Sequence, residues 1–236
     1  MSTDFNGCGI SMLIHGNSKA GKTYLANTAP GPRLILDAEG GTRFLKTNKI
    51  VWDPRQPPPD CKPDDTVLVY IRDFGSLAHA YQWLAAGKHP FNSVILDSIS
   101  EIQQRCIDAL VGTEQMKLQD WGELARKVAK LVRDYRDLLI HPTKPLQTVI
   151  LIAMTRKDNT SGKYSPYVQG QLAIALPFYI DLVGFLQAQQ DESGNMQRYL
   201  LVQPHNQYEA GDRTGVFPPI ITNPNIVEML QEVCGE

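Results

Sequence analysis

A glycine-rich segment near the start of the chain, residues 16–23, has the spacing of a phosphate-binding loop. It matches G-x-x-x-x-G-K-[ST], follows an apolar run and precedes a segment of helical character. The glycines let backbone N–H groups approach phosphate oxygens, and the helix adds the positive end of its dipole. Lys22 is expected to reach the β- and γ-phosphates of ATP, and the Thr23 hydroxyl to hold Mg²⁺. The residues predicted to contact the nucleotide are Gly16, Asn17, Ser18, Lys19, Ala20, Gly21, Lys22, Thr23 and Tyr24.

Two further apolar runs end in carboxylates that could complete a nucleotide site. Residues 94–96 lead into Asp97, which is expected to emerge where Mg²⁺ and its waters sit. Residues 34–36 lead into Asp37, and Glu39 follows just before a pair of glycines. One of these two carboxylates can polarise the water that attacks the γ-phosphate. On the residues alone, Asp37 can instead cap the strand end and Glu39 can be solvated.

Short apolar strands that alternate with helical patterns must position these residues, which favours an α/β fold with a largely parallel sheet. Residues 121–139 give the clearest helix, with an apolar side that includes Trp121. Strands are predicted at 10–15, 33–37, 66–71, 93–97, 148–154, 182–187 and 199–203. Other helices are predicted from Gly21 to before Pro30, and at 74–86, 98–111 and 225–233.

The length fits one large domain or two small ones, and residues 54–63 could mark a boundary between them. We predict a single domain over residues 1–236, because the strands on both sides of residues 54–63 belong to one set of motifs. The chain is 42% hydrophobic, and 23 Lys plus Arg against 25 Asp plus Glu give a net charge of −2, which excludes a disordered or collagenous chain. No run approaches the ~20 apolar residues of a membrane span, and no leader sequence is recognised. Residues 54–63 contain five prolines and are expected to form an extended surface excursion of this domain.

The cysteines predict a reducing, cytoplasmic environment. None of Cys8, Cys61, Cys106 and Cys234 forms a C-x-x-C pair, and no histidine lies at zinc-ligand spacing from them. We therefore expect free thiols and no metal site built from cysteine or histidine.

With these motifs in place, the sequence resembles the RecA-like ATPases over about residues 9–232. More narrowly, it resembles the small phage RecA-core proteins grouped with single-strand annealing recombinases. Asp37-Ala38-Glu39 is similar to the family segment whose glutamate is the catalytic base, which points to Glu39, and Asp97-Ser98 is similar to the end of its second nucleotide motif. The resemblance implies a RecA-like P-loop core, a mainly parallel central sheet flanked by helices. It also implies DNA-stimulated ATP hydrolysis with Mg²⁺ in phage-type recombination or annealing, in a host cytoplasm if phage-encoded.

The same resemblance identifies a DNA-binding segment. Residues 148–152 are similar to the strand that leads into the family's mobile DNA-binding loop, and residues 156–171 would be that loop. Its basic groups would follow phosphates and its tyrosines would stack on unpaired bases, although the same residues would suit a lid or a subunit contact. The candidates are Arg156, Lys157, Lys163, Tyr164 and Tyr167. The basic residues of the 121–139 helix are interpreted instead as a solvated face.

Two positions concern nucleotide sensing and assembly. The family usually has Gln or His as a γ-phosphate sensor where this chain has Met154, whose thioether donates no hydrogen bond. Either sensing is weakened, or Thr155 or Arg156 performs it.

The segment around Arg213 looks like one that reaches a neighbour's nucleotide site in oligomeric RecA-like motors, so Arg213 is either a trans-acting finger or a surface residue of a turn. The implied partners are single-stranded DNA, further copies in a ring or filament, and a single-strand DNA-binding protein.

Three functions fit this sequence. A DNA-dependent recombination ATPase predicts turnover stimulated by single-stranded DNA. A nucleotide-switched assembly or regulatory protein predicts nucleotide-dependent oligomerisation without a DNA effect. A small-molecule kinase is the weakest interpretation, because residues 156–171 lack the arginine-rich lid that such kinases usually need.

Overall fold

The elements of the chain alternate between strand and helix along most of its length. The computed structural model describes residues 7–158, 162–191 and 193–235. The strands are β1 (Ile10–Gly16), β2 (Arg33–Asp37), β3 (Lys49–Val51), β4 (Thr66–Tyr70), β5 (Ser93–Asp97), β6 (Thr148–Ala153), β7 (Thr155–Lys157), β8 (Tyr164–Pro166), β9 (Leu182–Gln190), β10 (Met196–Leu201), β11 (Gly211–Asp212) and β12 (Ile220–Thr222). The α-helices are α1 (Lys22–Ala26), α2 (Phe74–Ala85), α3 (Ile99–Val111), α4 (Leu118–Arg136), α5 (Leu172–Ala175) and α6 (Ile226–Cys234), and 3-10 turns lie at Gly41–Phe44, Asp137–Ile140 and Leu176–Tyr179.

The central sheet has the strand order β12-β10-β9-β1-β6-β5-β2-β4-β3, and β11 pairs with β9. From β9 to β3 all neighbouring strands are parallel, whereas β10, β11 and β12 pair antiparallel. Parallel strands covered on both faces read as continuous apolar runs, as β5 and β6 do. The predicted α/β fold with a mainly parallel sheet flanked by helices is confirmed.

Two apolar cores lie on the two faces of this sheet. Successive strand residues point to opposite faces, so Leu13 packs with helices α2, α3 and α4, while Met12 and Ile14 pack with α1 and α6. The longest helix, α4, buries a stripe that ends at Tyr135, whose hydroxyl donates to the Leu77 carbonyl oxygen at 2.9 Å. This two-sided burial fixes the carboxyl ends of the parallel strands at one edge.

Several elements differ from the sequence-based predictions. Helix α4 begins at Leu118 rather than at 121, and Trp121 lies in its first turn with its side chain 36% exposed instead of in the core. The strands β3, β11 and β12 were not predicted, because two or three residues are too few to show an alternating pattern. The proline-rich residues 54–63 form no helix or strand, as predicted, and the Trp83 indole donates to the Pro54 carbonyl oxygen at 2.9 Å.

The prediction of four free thiols is wrong for two of them. Cys8 and Cys234 form a disulfide that ties the segment before β1 to the end of α6, with their Cα atoms 5.9 Å apart. Sequence spacing could not reveal this pair, because 226 positions separate the two cysteines and only the fold brings them together. Cys61 and Cys106 are free. In the described part of the chain, no helix is both long and apolar enough to cross a membrane.

Candidate nucleotide-binding site

The phosphate loop connects the carboxyl end of β1 to the start of α1. A Cβ atom on Gly16 would lie 2.2 Å from the Leu186 carbonyl oxygen of β9, so only glycine lets the two strands pair here. Gly21 has a φ of +99°, a left-handed conformation that glycine adopts without strain. The loop therefore has its predicted strand–loop–helix context. Glycine is required at Gly16 by the close approach of β9 and at Gly21 by the left-handed backbone conformation.

Lys22 reaches back across this loop. Its ammonium donates to the Gly16 carbonyl oxygen at 2.9 Å and to the Asn17 carbonyl oxygen at 3.0 Å. Burial lowers the pKa of Lys22, while the carboxylates of Glu39 and Asp97 oppose this shift. The ammonium is thus held at the mouth of the loop, where a phosphate group can replace the carbonyl oxygens as its partner.

The carboxylates of Asp37 and Glu39 are in different environments. Asp37 is buried and accepts hydrogen bonds from the backbone amides of Glu39 at 3.1 Å and Gly40 at 2.6 Å, and from the Thr42 hydroxyl. Glu39 is exposed toward the nucleotide cavity and accepts a hydrogen bond from the Ser98 hydroxyl. Asp37 is therefore occupied in holding the turn, whereas Glu39 presents a carboxylate to the cavity.

Asp97 and Thr23 offer oxygen ligands at the base of the loop. The Thr23 hydroxyl donates to the Asp97 carboxylate at 2.6 Å, and Asp97 is 1% exposed. Desolvation, reinforced by Glu39 and Asp37, raises the pKa of Asp97 to about 7. Hard oxygen donors beside a cluster of carboxylates fit Mg²⁺. No group of three or more His, Cys, Asp or Glu residues could hold a metal within the described ranges, so water and nucleotide phosphates would supply the other ligands.

These groups line one cavity of about 680 Å³, which is in the size range of small-molecule sites. Tyr24 and Phe44 are exposed on its wall, and Met154 and Thr155 lie where β6 ends. The fold thus brings the predicted nucleotide residues together with Glu39 and Asp97, except for Ala20, which is buried and does not line the cavity. The cavity is lined by Gly16, Asn17, Ser18, Lys19, Gly21, Lys22, Thr23, Tyr24, Glu39, Gly41, Phe44, Leu45, Asp97, Met154 and Thr155.

Arg213 is placed away from this cavity in its own chain. Its guanidinium forms an ion pair with Asp181 at 2.9 Å and donates to the Phe178 carbonyl oxygen at 3.0 Å. Asp181 precedes β9, whereas Gly16 pairs with Leu186 farther along the same strand. Arg213 instead lines a second cavity of about 580 Å³. Its role as a trans-acting finger remains a prediction about a neighbouring copy.

Residues 156–171, predicted to form a mobile loop, include paired strand residues of a β-hairpin. An antiparallel hairpin of β7 and β8 follows β6 almost directly, and α5 begins at Leu172, just after this segment. The guanidinium carbon of Arg156 lies 5.8 Å from the Tyr167 ring centroid, and the ammonium of Lys157 lies 5.5 Å from that of Tyr164. Lys163 forms an ion pair with Glu209 at 2.7 Å. Residues 159–161 of the predicted loop lie outside the described residues.

Arg198 is a neighbour of the phosphate loop that the sequence analysis missed. It lies on β10, and its Nε donates to the Ala20 carbonyl oxygen at 3.3 Å. Its guanidinium carbon lies 5.2 Å from the ring centroid of Tyr24. The antiparallel strand brings it there from 178 positions away, so no local pattern could have identified it. Arg198 supports the outer side of the loop with a charge-assisted hydrogen bond and a cation–π contact.

We expect Arg198→Met to weaken ATP binding by about tenfold, or about 1.4 kcal/mol, because the loop loses a long hydrogen bond from a charged donor and an exposed cation–π contact. Titration of the protein with a fluorescent ATP analogue measures this change. Arg126→Met, on the exposed face of α4, is the matched control. Equal affinities of the two variants would contradict a role for Arg198 at the loop.

Comparison with known families assigns the chain to a class. No curated protein matches it. Residues 9–214 match the family model described as an AAA domain. The matched residues include the phosphate loop, both carboxylate motifs and the hairpin. The match covers well over half of the chain and agrees with the parallel sheet and the geometry of the loop. The chain therefore belongs to the AAA domain family and carries a P-loop ATPase domain.

Proposed function

We propose that this protein hydrolyses ATP and couples nucleotide occupancy to single-stranded DNA in phage-type homologous recombination or strand annealing. One observation carries the proposal. The β7–β8 hairpin, with its cations over tyrosine rings, begins at Thr155, which itself lines the nucleotide cavity. A change in γ-phosphate occupancy can therefore act through Thr155 on a nearby surface whose cations and aromatic rings are those expected of a single-strand binding site.

In the proposed reaction, Glu39 accepts a proton from the water that attacks the γ-phosphorus. Its carboxylate faces the cavity, and the Ser98 hydroxyl orients it. Lys22 moves from the carbonyl oxygens of the loop to the β- and γ-phosphate oxygens and neutralises charge that develops on them. Mg²⁺, held by Thr23 and Asp97, would supply Lewis-acid stabilisation of the phosphate oxygens.

The proposed DNA surface combines positive charge with exposed rings. Arg156, Tyr167 and Trp121 line a shared surface cleft, in which Trp121 is 36% and Tyr167 38% exposed. Every base has a π-face, so such rings bind single strands with little sequence preference, and each stack is worth about 1–3 kcal/mol. The guanidinium of Arg156 adds a phosphate contact or a cation–π contact to the same cleft.

The test is ATP hydrolysis by the purified protein with and without single-stranded DNA, at low and moderate salt. We expect single strands to stimulate turnover and the effect to weaken as salt rises, because phosphate contacts release counterions. Trp121→Ala should weaken single-strand binding by about 5- to 100-fold, whereas Arg126→Ala on the opposite, solvated face should change it little. An ATP turnover rate at low salt that is the same with and without single-stranded DNA would contradict the proposal.

A nucleotide-switched assembly protein without DNA binding is the second candidate. The observation that favours it is an apolar pair, Ile174 and Phe178, each 74% exposed and both lining the cavity that contains Arg213. Such a pair lies beside Arg213, whose side chain is 59% exposed although it pairs with Asp181, and is suited to a contact with another copy that completes a nucleotide site in trans. Sedimentation with and without a non-hydrolysable ATP analogue tests this: nucleotide-dependent oligomers with DNA-independent turnover would favour this function.

A further inference from the structure

His15 is a fully buried histidine directly before the phosphate loop. It is the penultimate residue of β1, it is 0% exposed, and its ring packs on Phe185 with centroids 5.2 Å apart. Desolvation lowers its pKa to about 4, so the imidazole is neutral near pH 7. A neutral imidazole has one N–H donor and one acceptor nitrogen, and each of them has a partner here.

The partners of His15 determine its tautomer. Nε2 lies 2.7 Å from the Glu209 carbonyl oxygen, which can only accept, so Nε2 carries the hydrogen. Nδ1 must then be the acceptor, and the Thr155 hydroxyl, 2.6 Å away, must donate to it. The hydroxyl hydrogen of Thr155 is thereby directed at His15 rather than at the nucleotide cavity.

Thr155 is nevertheless exposed to that cavity. It lines the cavity beside Lys22 and Asp97, and it follows Met154, whose thioether has no hydrogen to donate. A γ-phosphate oxygen is charged and accepts a stronger hydrogen bond than a neutral imidazole nitrogen does. A bound triphosphate therefore competes with His15 for the hydroxyl of Thr155, whereas a diphosphate lacks the group that competes.

On its other side, His15 contacts the segment that borders the hairpin. The Glu209 amide donates to the Tyr164 carbonyl oxygen at 2.8 Å, and the Tyr164 amide donates to the Gln207 carbonyl oxygen at 2.7 Å. The Tyr208 ring stacks on Phe185, the ring that also packs on His15, with centroids 4.2 Å apart. Residues 207–209 are thus held by β8 on one side and by His15 on the other.

We propose that His15 is a positioning residue that couples γ-phosphate occupancy to residues 207–209 and, through them, to the hairpin. When a triphosphate binds, the Thr155 hydroxyl turns from Nδ1 of His15 to a γ-phosphate oxygen. The buried Nδ1 then lacks a donor, which is costly, so the ring shifts and its bond to Glu209 weakens. With a diphosphate, the bond from Thr155 to His15 stays intact. The inference needs the nucleotide site but is independent of DNA binding.

The test compares amide hydrogen exchange with saturating Mg²⁺–ADP and with a saturating Mg²⁺ complex of a non-hydrolysable ATP analogue. We expect exchange in residues 205–210 to be at least threefold faster with the triphosphate in the wild-type protein. Thr155→Val keeps the shape but lacks the hydroxyl, and it should remove this difference. Thr155→Ser should restore it. Thr143→Val, at an exposed threonine outside the cavity, is the matched control.

Substitution at Thr155 is used because His15 is fully buried and its replacement threatens the fold. A nucleotide titration of each variant separates a failed nucleotide site from a failed coupling. If both nucleotides bind and the wild-type protein shows no difference in residues 205–210, the proposal is wrong. It is equally wrong if the difference survives in Thr155→Val.

Discussion

Glu39→Gln is expected to lower ATP turnover at least a hundredfold while ATP affinity stays within about twofold, since a positioned general base contributes roughly 10²–10⁴ in rate. The amide keeps the size of the carboxylate but cannot accept the proton of the attacking water. The prediction concerns Glu39 rather than Asp37. Asp37 is buried and accepts hydrogen bonds from the backbone of its own turn, whereas Glu39 faces the cavity. Phosphate release under saturating ATP and equilibrium binding of ATP measure the two quantities separately.

Two further variants show whether that loss is specific. Glu114→Gln removes an exposed carboxylate that does not line the cavity and should leave turnover unchanged. Lys22→Ala should abolish turnover, because it removes the cation that binds the β- and γ-phosphates, and it should also weaken ATP binding. Turnover of Glu39→Gln equal to that of the wild-type protein would exclude Glu39 as the base.

Loss of the disulfide between Cys8 and Cys234 is expected to lower the free energy of unfolding by about 5 kcal/mol. The bond joins residues 226 positions apart, so in the chain-entropy model it restricts the unfolded chain more than a short crosslink does. Urea unfolding of the oxidised protein and of a Cys8→Ser, Cys234→Ser double variant measures the difference. Cys61→Ser, at a free thiol, is the control. Equal unfolding midpoints for the double variant and the oxidised protein would contradict the expectation.

The sequence by itself predicted the features that depend on neighbouring residues. The phosphate loop is a strand, a turn and a helix start within a few positions, so the glycine and lysine spacing contains nearly all of the required information. The strands β2 and β5 were predicted with their exact bounds, because buried parallel strands are unbroken apolar runs. Their terminal carboxylates, Asp37 and Asp97, lie at one edge of the sheet because the two strands pair in parallel and in register.

Only the tertiary structure decided which distant residues surround that loop. The sheet order places β6 between β1 and β5, and it thereby sets Thr155 against His15 at the cavity. The antiparallel strand β10 brings Arg198 to Ala20, and the end of α6 brings Cys234 to Cys8. None of these contacts has a local signal, because each joins residues separated by 140 or more positions.

The structure also decided between roles that the sequence left open. Asp37 and Glu39 are two positions apart in one motif, and only the hydrogen bonds to Asp37 distinguish the anchor of the turn from the carboxylate that faces the cavity. Trp121 shares the period of the apolar side of α4, yet it lies in the first turn and stays partly exposed. Periodicity reports which face of a helix a residue occupies, whereas burial depends on what the fold packs against that face.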